Sequence, residues 1–356
     1  MDRKKADLTE INKRFSRANS RLLYLLTVAL AVLWFLPLRA VLDQGEERSW
    51  ERVRSAQDYL YEWRLSRGLE SNTEDDPWNT GLIGIEWSPI TTTLGSLSSK
   101  RTATDPRWSV VTGRWFDRLG LSRGDRIAVY SSGSFPGLIL NVLCAAEARG
   151  LEVSLVVSLG SSTWGANIPS MSWPLIGSVL RNAGFISTRS CFYTLGGGEE
   201  LGAGLSPEGR AILKEAARES GVEIMEAGDL NEIIAMKVDL LREKNVKALV
   251  NIGGSASSLG TDEEILQLPG GLVLPSENAD AGNGVIAGAL KEGIPVIHFL
   301  NLRDLALETG VPFDSRPGRN ISRWRTPVLS IAGIILFLLV TGRFRRWGKG
   351  GQGFEK

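Results

Sequence analysis

One histidine and two cysteines are all that 356 residues offer of the side chains most used for metal ligation and nucleophilic relays. Any serine–histidine mechanism must use His298, and a zinc site would rest on scattered carboxylates, so no metal and no cofactor are expected. The formal charge is only +1. Residues 43–325 carry 28 basic against 36 acidic side chains, and nothing there resembles the basic face that nucleic acid needs, so no nucleic-acid partner is expected. Cys144 lies in the apolar run "LILNVLCAAEA" and reads as a buried free thiol, not as a disulfide partner of Cys191.

Long apolar runs are confined to two places. Residues 22–38 and 326–342 each hold no charge for 17 residues. As helices they would reach ~25 Å, a little short of a ~30 Å hydrocarbon core, with Trp34, Trp324 and Trp347 placed for interface depth. Basic residues precede the first (Arg3, Lys4, Lys5, Lys13, Arg14, Arg17, Arg21) and follow the second (Arg343, Arg345, Arg346, Lys349). By the positive-inside rule both tails stay cytoplasmic. No small-residue cleavage site follows the first run, so it reads as an uncleaved anchor. The expected layout is a basic cytoplasmic tail (1–21), a span (22–42), an outer domain (43–325), a span (326–342) and a basic tail (343–356). The expected location is the cytoplasmic membrane.

Within the outer domain, Trp50, Val53, Ala56, Leu60 and Trp63 step by three or four and predict a helical stalk over 43–68. Short β-branched runs then recur: "LIGIEW", "RIAVYS", "EVSLVVS", "VKALVNI" and "IPVIHFL". Helical segments lie between them. One has Ser206 as N-cap, Pro207 in the first turn and Gly221 as stop; another has Asp229 as N-cap with Glu232 three residues on. The alternation predicts an α/β fold with a parallel, Rossmann-like sheet.

Three of these strands run into serines and glycines. Residues 127–130 lead to Ser131-Ser132-Gly133-Ser134, residues 153–157 to Ser158-Leu159-Gly160-Ser161-Ser162, and residues 249–252 to Gly253-Gly254-Ser255. Ligands of parallel sheets bind beyond the carboxyl ends of the strands, so these loops are expected to converge on an anion. None fits a phosphate-binding lysine motif or Gly-x-Gly-x-x-Gly, which disfavours a nucleotide. The candidate ligand-binding residues are Ser132, Ser134, Ser161, Ser162, Asn167, Gly253, Gly254 and Ser255. Thr92, Lys100 and Arg101 join them from "TTTLGSLSSKR", where hydroxyls followed by paired cations suit a carboxylate. The candidate catalytic pair is His298 with Ser134, oriented by Asp304 or Glu277. Glu199-Glu200 reads as a solvated loop.

The stretches "NTGLIGIEWSPITTTLGSLSSKRTATDP", "SSGSFPG", "SLGSSTWGANIPSMSW", "GLSPEGR" and "GIPVIHFLNLRDLALETGVPFD" resemble the membrane-anchored poly-γ-glutamate system protein family. The resemblance covers about residues 79–315 and shares the two-anchor layout. One departure is Pro174-Leu175-Ile176-Gly177 after Trp173, where that family would carry an acidic segment. The resemblance implies a component of poly-γ-glutamate synthesis, export or release. Its partners would be γ-glutamyl units, the synthase and export membrane proteins, and the lipid bilayer. Two alternatives stand beside it: a scaffold for the synthase–exporter complex, and a serine- or threonine-dependent γ-glutamyl hydrolase or transferase.

Overall fold

A computed structural model describes residues 42–69, 72–275 and 281–319, together with positions 25, 39–40, 321–322 and 333. Apart from Leu25, Arg39, Ala40, Leu42 and Gly333, the expected spans lie outside the described residues, as does Glu277. Among the described residues no helix is long and apolar enough to cross a membrane. Residues 41–321 form one compact unit.

Helix α1 (Gln44–Ser66) starts on a capping box. Asp43 Oδ1 accepts from the Glu46 amide at 2.8 Å, and Glu46 Oε2 accepts from the Asp43 amide at 3.1 Å. The stripe of Trp50, Val53, Ala56 and Leu60 is buried against the domain, so α1 is part of its core. Arg64 continues the stripe and donates to the carbonyls of Leu69, Gly81 and Ile83. The expected first strand, 82–87, is therefore not a strand. Its backbone is satisfied instead by Arg64 and by Asn167, which bonds both the amide and the carbonyl of Ile85.

The main sheet comprises β2 (Arg126–Ser132), β3 (Glu152–Ser158), β5 (Ser190–Thr194), β6 (Ala248–Ile252), β7 (Gly271–Val273) and β8 (Val296–Phe299). Their spatial order is β5-β3-β2-β6-β8-β7, parallel except for β7, which runs antiparallel to β8. A short parallel pair, β1 (Thr91–Thr93) with β4 (Ser161–Ser162), stands apart. Alternation sends Ile127, Val129, Leu155 and Val157 to one face and Ala128, Tyr130 and Val156 to the other. Helices α1, α3 (Arg107–Arg118), α4 (Pro136–Ala148), α5 (Trp173–Asn182) and α6 (Pro207–Ser220) contribute to the first core. Helices α7 (Leu230–Glu243), α8 (Ala256–Leu259) and α9 (Val285–Lys291) cover the second face. The protein is thus α/β with a mostly parallel sheet. From β2 the chain winds one way to β3 and β5, then the other way through β6 and β8. The direction reverses between β2 and β6, and a crevice opens there at the carboxyl ends.

Candidate functional site

The loops after β2, β3 and β6 meet because their strands are neighbours in register, with Ser132 opposite Ser158 and Ser131 opposite Ile252. Their approach is close enough to require glycine. A Cβ on Gly165 would lie 2.7 Å from Ser134 Cα, and one on Gly253 (φ +83°) would lie 2.7 Å from Ser132 Oγ. A cavity of about 730 Å³ sits over this edge. It is walled by β1, helix α2 (Leu97–Ala103), the three serine loops, the glycine-rich turn after β5, and the start of α10 (Leu302–Thr309). A groove of about 800 Å³ beside β5, lined by Phe192, Met225 and Met236, holds none of the candidate residues.

Of the residues expected from sequence, Thr92, Lys100, Ser132, Ser134, Ser162, Gly254 and Ser255 line the cavity. Ser161, Asn167, Gly253, Arg101 and His298 do not line it. Ser161 Oγ donates to the Gly133 carbonyl at 3.2 Å, bracing one serine loop on another. Asn167 clamps the 84–91 segment. Arg101 turns outward to the carbonyls of Glu74 and Asp75 and to Asp314 at 3.6 Å.

Lys100 is 4 % exposed, yet it sits in the cavity wall. Its Nζ donates to the Ser134 carbonyl at 2.7 Å and lies 3.6 Å from the Phe135 ring centroid. Among the described residues no acidic side chain pairs with it, and burial lowers the ammonium to about 7. Beside it, Ser162 Oγ is buried without a hydrogen-bond partner. Both pack around Gly95: a Cβ there would lie 2.8 Å from Ser162 Oγ and 3.2 Å from Lys100 Cε. Ser134 Oγ is occupied, accepting from the Ser162 amide at 2.9 Å.

His298 lies within the sheet, on β8, fully buried. Its Nδ1 is 3.0 Å from Asn251 Nδ2, which also donates to the Gly253 carbonyl. That amide orientation makes Nδ1 the acceptor and puts the proton on Nε2, which has no partner. Asp304 is engaged by the Asn301 side chain, and Ser134 is engaged elsewhere, so the expected relay of Ser134, His298 and Asp304 is not assembled here. Burial lowers the imidazole to about 4, and it is neutral at pH 7.

Two residues lining the cavity, Glu200 and Arg303, and one buried behind it, Lys237, were not legible in the sequence as site residues. Glu200 was expected in solvent but is 1 % exposed. Its carboxylate accepts from Ser158 Oγ (2.6 Å), Thr194 Oγ1, and Ser257 Oγ (2.8 Å), and Lys237 Nζ stands 3.5 Å away. Burial alone would raise its pKa; Lys237 and the hydroxyl donors outweigh that and hold it at about 2. Lys237 also donates to Ser257 Oγ at 2.7 Å. The signal for it was present: Lys237 falls among Ile233, Ile234, Val238 and Leu241 on the apolar stripe of α7. The third is Arg303, exposed at the cavity rim, its guanidinium 4.5 Å from the Phe313 ring centroid. Among the described residues it has no acidic partner.

The cavity therefore presents two cations not compensated by carboxylates, a partner-free buried hydroxyl, and one carboxylate already neutralised by Lys237. Its field favours an anion. The cysteines are free, and burial raises the Cys144 thiol to about 12. No group of three or more His, Cys, Asp or Glu among the described residues is arranged to hold a metal ion. No family model, curated protein or solved structure matches the chain.

Proposed function

We propose that this chain is a membrane-anchored component of poly-γ-glutamate synthesis, export or release, whose Rossmann-like domain engages γ-glutamyl carboxylates outside the cytoplasmic membrane. Residues 22–42 and 326–342 are the spans in this reading, both termini are cytoplasmic, and the partners are the synthase and export proteins. The observation that carries it is the pairing of Lys100 and Arg303, without acidic partners, with the Ser132 and Ser162 hydroxyls in one cavity. The acidic total of the domain does not oppose this. The Debye length is ~8 Å at physiological salt, so local donors dominate.

The test is titration of the full-length protein with γ-linked hexaglutamate. Lys100→Met is expected to weaken binding by about tenfold or more, the worth of a hydrogen bond to a charged group. Ser162→Ala should weaken it by about two- to tenfold, as for a neutral hydrogen bond. If the parent does not bind, or both variants bind like the parent, the reading is wrong.

A second reading, a serine-dependent γ-glutamyl hydrolase or transferase, rests on a different observation. A lysine lowered to about 7 packs with a partner-free serine hydroxyl around Gly95. In it Lys100 replaces His298 as the base and Ser162 replaces Ser134 as the nucleophile. Shortened chains that disappear in Ser162→Ala, with ligand affinity largely kept, would select it over simple binding.

A further inference from the structure

The charges around the cavity distinguish the parts of a γ-linked glutamyl chain. An interior unit offers one carboxylate, on its α-carbon. The first unit adds an ammonium to that carboxylate. The last unit alone carries two free carboxylates, α and γ, on one residue.

We propose that the cavity reads the carboxy-terminal unit of a γ-glutamyl chain, with Lys100 and Arg303 each facing one of its two carboxylates. The inference rests on the γ-glutamyl reading above. Both cations line the same cavity, and the helices that carry them, α2 and α10, pack together. Neither has an acidic partner among the described residues: Arg303 is exposed at the rim, and Lys100 Nζ uses one of its three hydrogens on the Ser134 carbonyl. Ser162 Oγ, on a residue only 4 % exposed and without a partner, supplies a hydroxyl donor at the Lys100 end.

The amino-terminal unit fits badly. Its ammonium would face the Arg303 guanidinium and oppose protonation of Lys100. The one carboxylate there, Glu200, is already occupied by three hydroxyls and Lys237. A single interior unit would leave one cation unmatched, and matching both would take two successive units. At about 730 Å³ the cavity also has the size of pockets that enclose small ligands, which suits a chain end.

The experiment compares two γ-linked hexaglutamates of equal net charge on the full-length protein. In one, the γ-carboxylate of the last unit is a carboxamide; in the other, the α-carboxylate of the third unit is. The terminal amide is expected to raise Kd about tenfold or more over the unmodified peptide, the interior amide less than about twofold. In Arg303→Met or Lys100→Met the difference between the two amides should shrink severalfold. If the unmodified peptide binds and both amides weaken it equally, end recognition is overturned while the γ-glutamyl reading stands. If a large terminal effect survives in both variants, the assignment of the two cations is overturned. If the unmodified peptide does not bind, both readings fall together.

Discussion

Replacing Lys237 by methionine is expected to destabilise the protein by about 3–5 kcal/mol, the cost of stripping a buried carboxylate of its counter-charge. Glu200 and Lys237 are both fully buried, 1 % exposed each, 3.5 Å apart, with Ser257 bonded to both. Methionine keeps the length and packing of the side chain and leaves helix α7 intact. The charge on Glu200 then has only hydroxyl and amide donors in a low-dielectric setting. Tryptophan fluorescence during thermal unfolding should report a midpoint about 10 °C lower, given the usual relation for domains of this size. The double variant Lys237→Met with Glu200→Gln should recover much of the loss, because no unpaired charge remains. A single variant that melts like the parent would mean that the pair contributes nothing to the fold.

The same buried groups should make the protein acid-labile in two stages. His298 has a folded pKa of about 4 against an ordinary 6.5. As pH falls below 6.5 the unfolded chain takes up a proton that the folded chain refuses, so stability declines until about pH 4. Glu200 extends the decline. Its folded value of about 2 lies below the ordinary 4.5, so its contribution is complete above 4.5 and is lost as pH falls through 2. Each group corresponds to roughly 3 kcal/mol over its window, at about 1.4 kcal/mol per pKa unit. Urea midpoints measured from pH 7.5 to 4 should fall below about pH 6.5 in the parent and much less in His298→Gln. A flat parent profile would mean that the imidazole is accessible to protons in the native state.

The sequence disclosed the site's location better than its chemistry. Serine and glycine at three strand ends could be placed at one edge from strand alternation alone, because parallel topology fixes which ends are neighbours. Lys100 was legible as a cation after a run of hydroxyls. Its burial was not, since a lysine on a seven-residue helix gives no sign of the Phe135 ring over which it lies. Glu200 was hidden by composition. Just after three glycines it reads as a solvent loop, and the positive φ of Glu199 and Glu200 accompanies its turn inward to Ser158, Thr194 and Ser257. The segment 82–87 has strand composition, but Arg64 and Asn167, distant in sequence, take its backbone groups. Strands β5 and β7 went unread because "SCFYT" and "GLV" are too short for alternation to stand out. His298 lies inside strand β8 and away from the cavity lining. Its neighbour Asn251, 47 residues away, decides that its ring bonds within the sheet.

If a ligand carboxylate binds against Lys100, binding must be accompanied by proton uptake. Burial holds Lys100 near pH 7, so at about pH 7.5 a large share of the molecules carry it neutral. An arriving carboxylate favours the ammonium and must draw a proton from solution. Calorimetric titration of the full-length protein with γ-linked hexaglutamate, repeated in buffers of different ionisation enthalpy, counts that proton. Uptake of roughly half a proton or more per ligand is expected at pH 7.5, falling towards zero at pH 5.5 and absent in Lys100→Met. Tight binding with no proton exchange at pH 7.5, unchanged in Lys100→Met, would mean that no carboxylate meets Lys100.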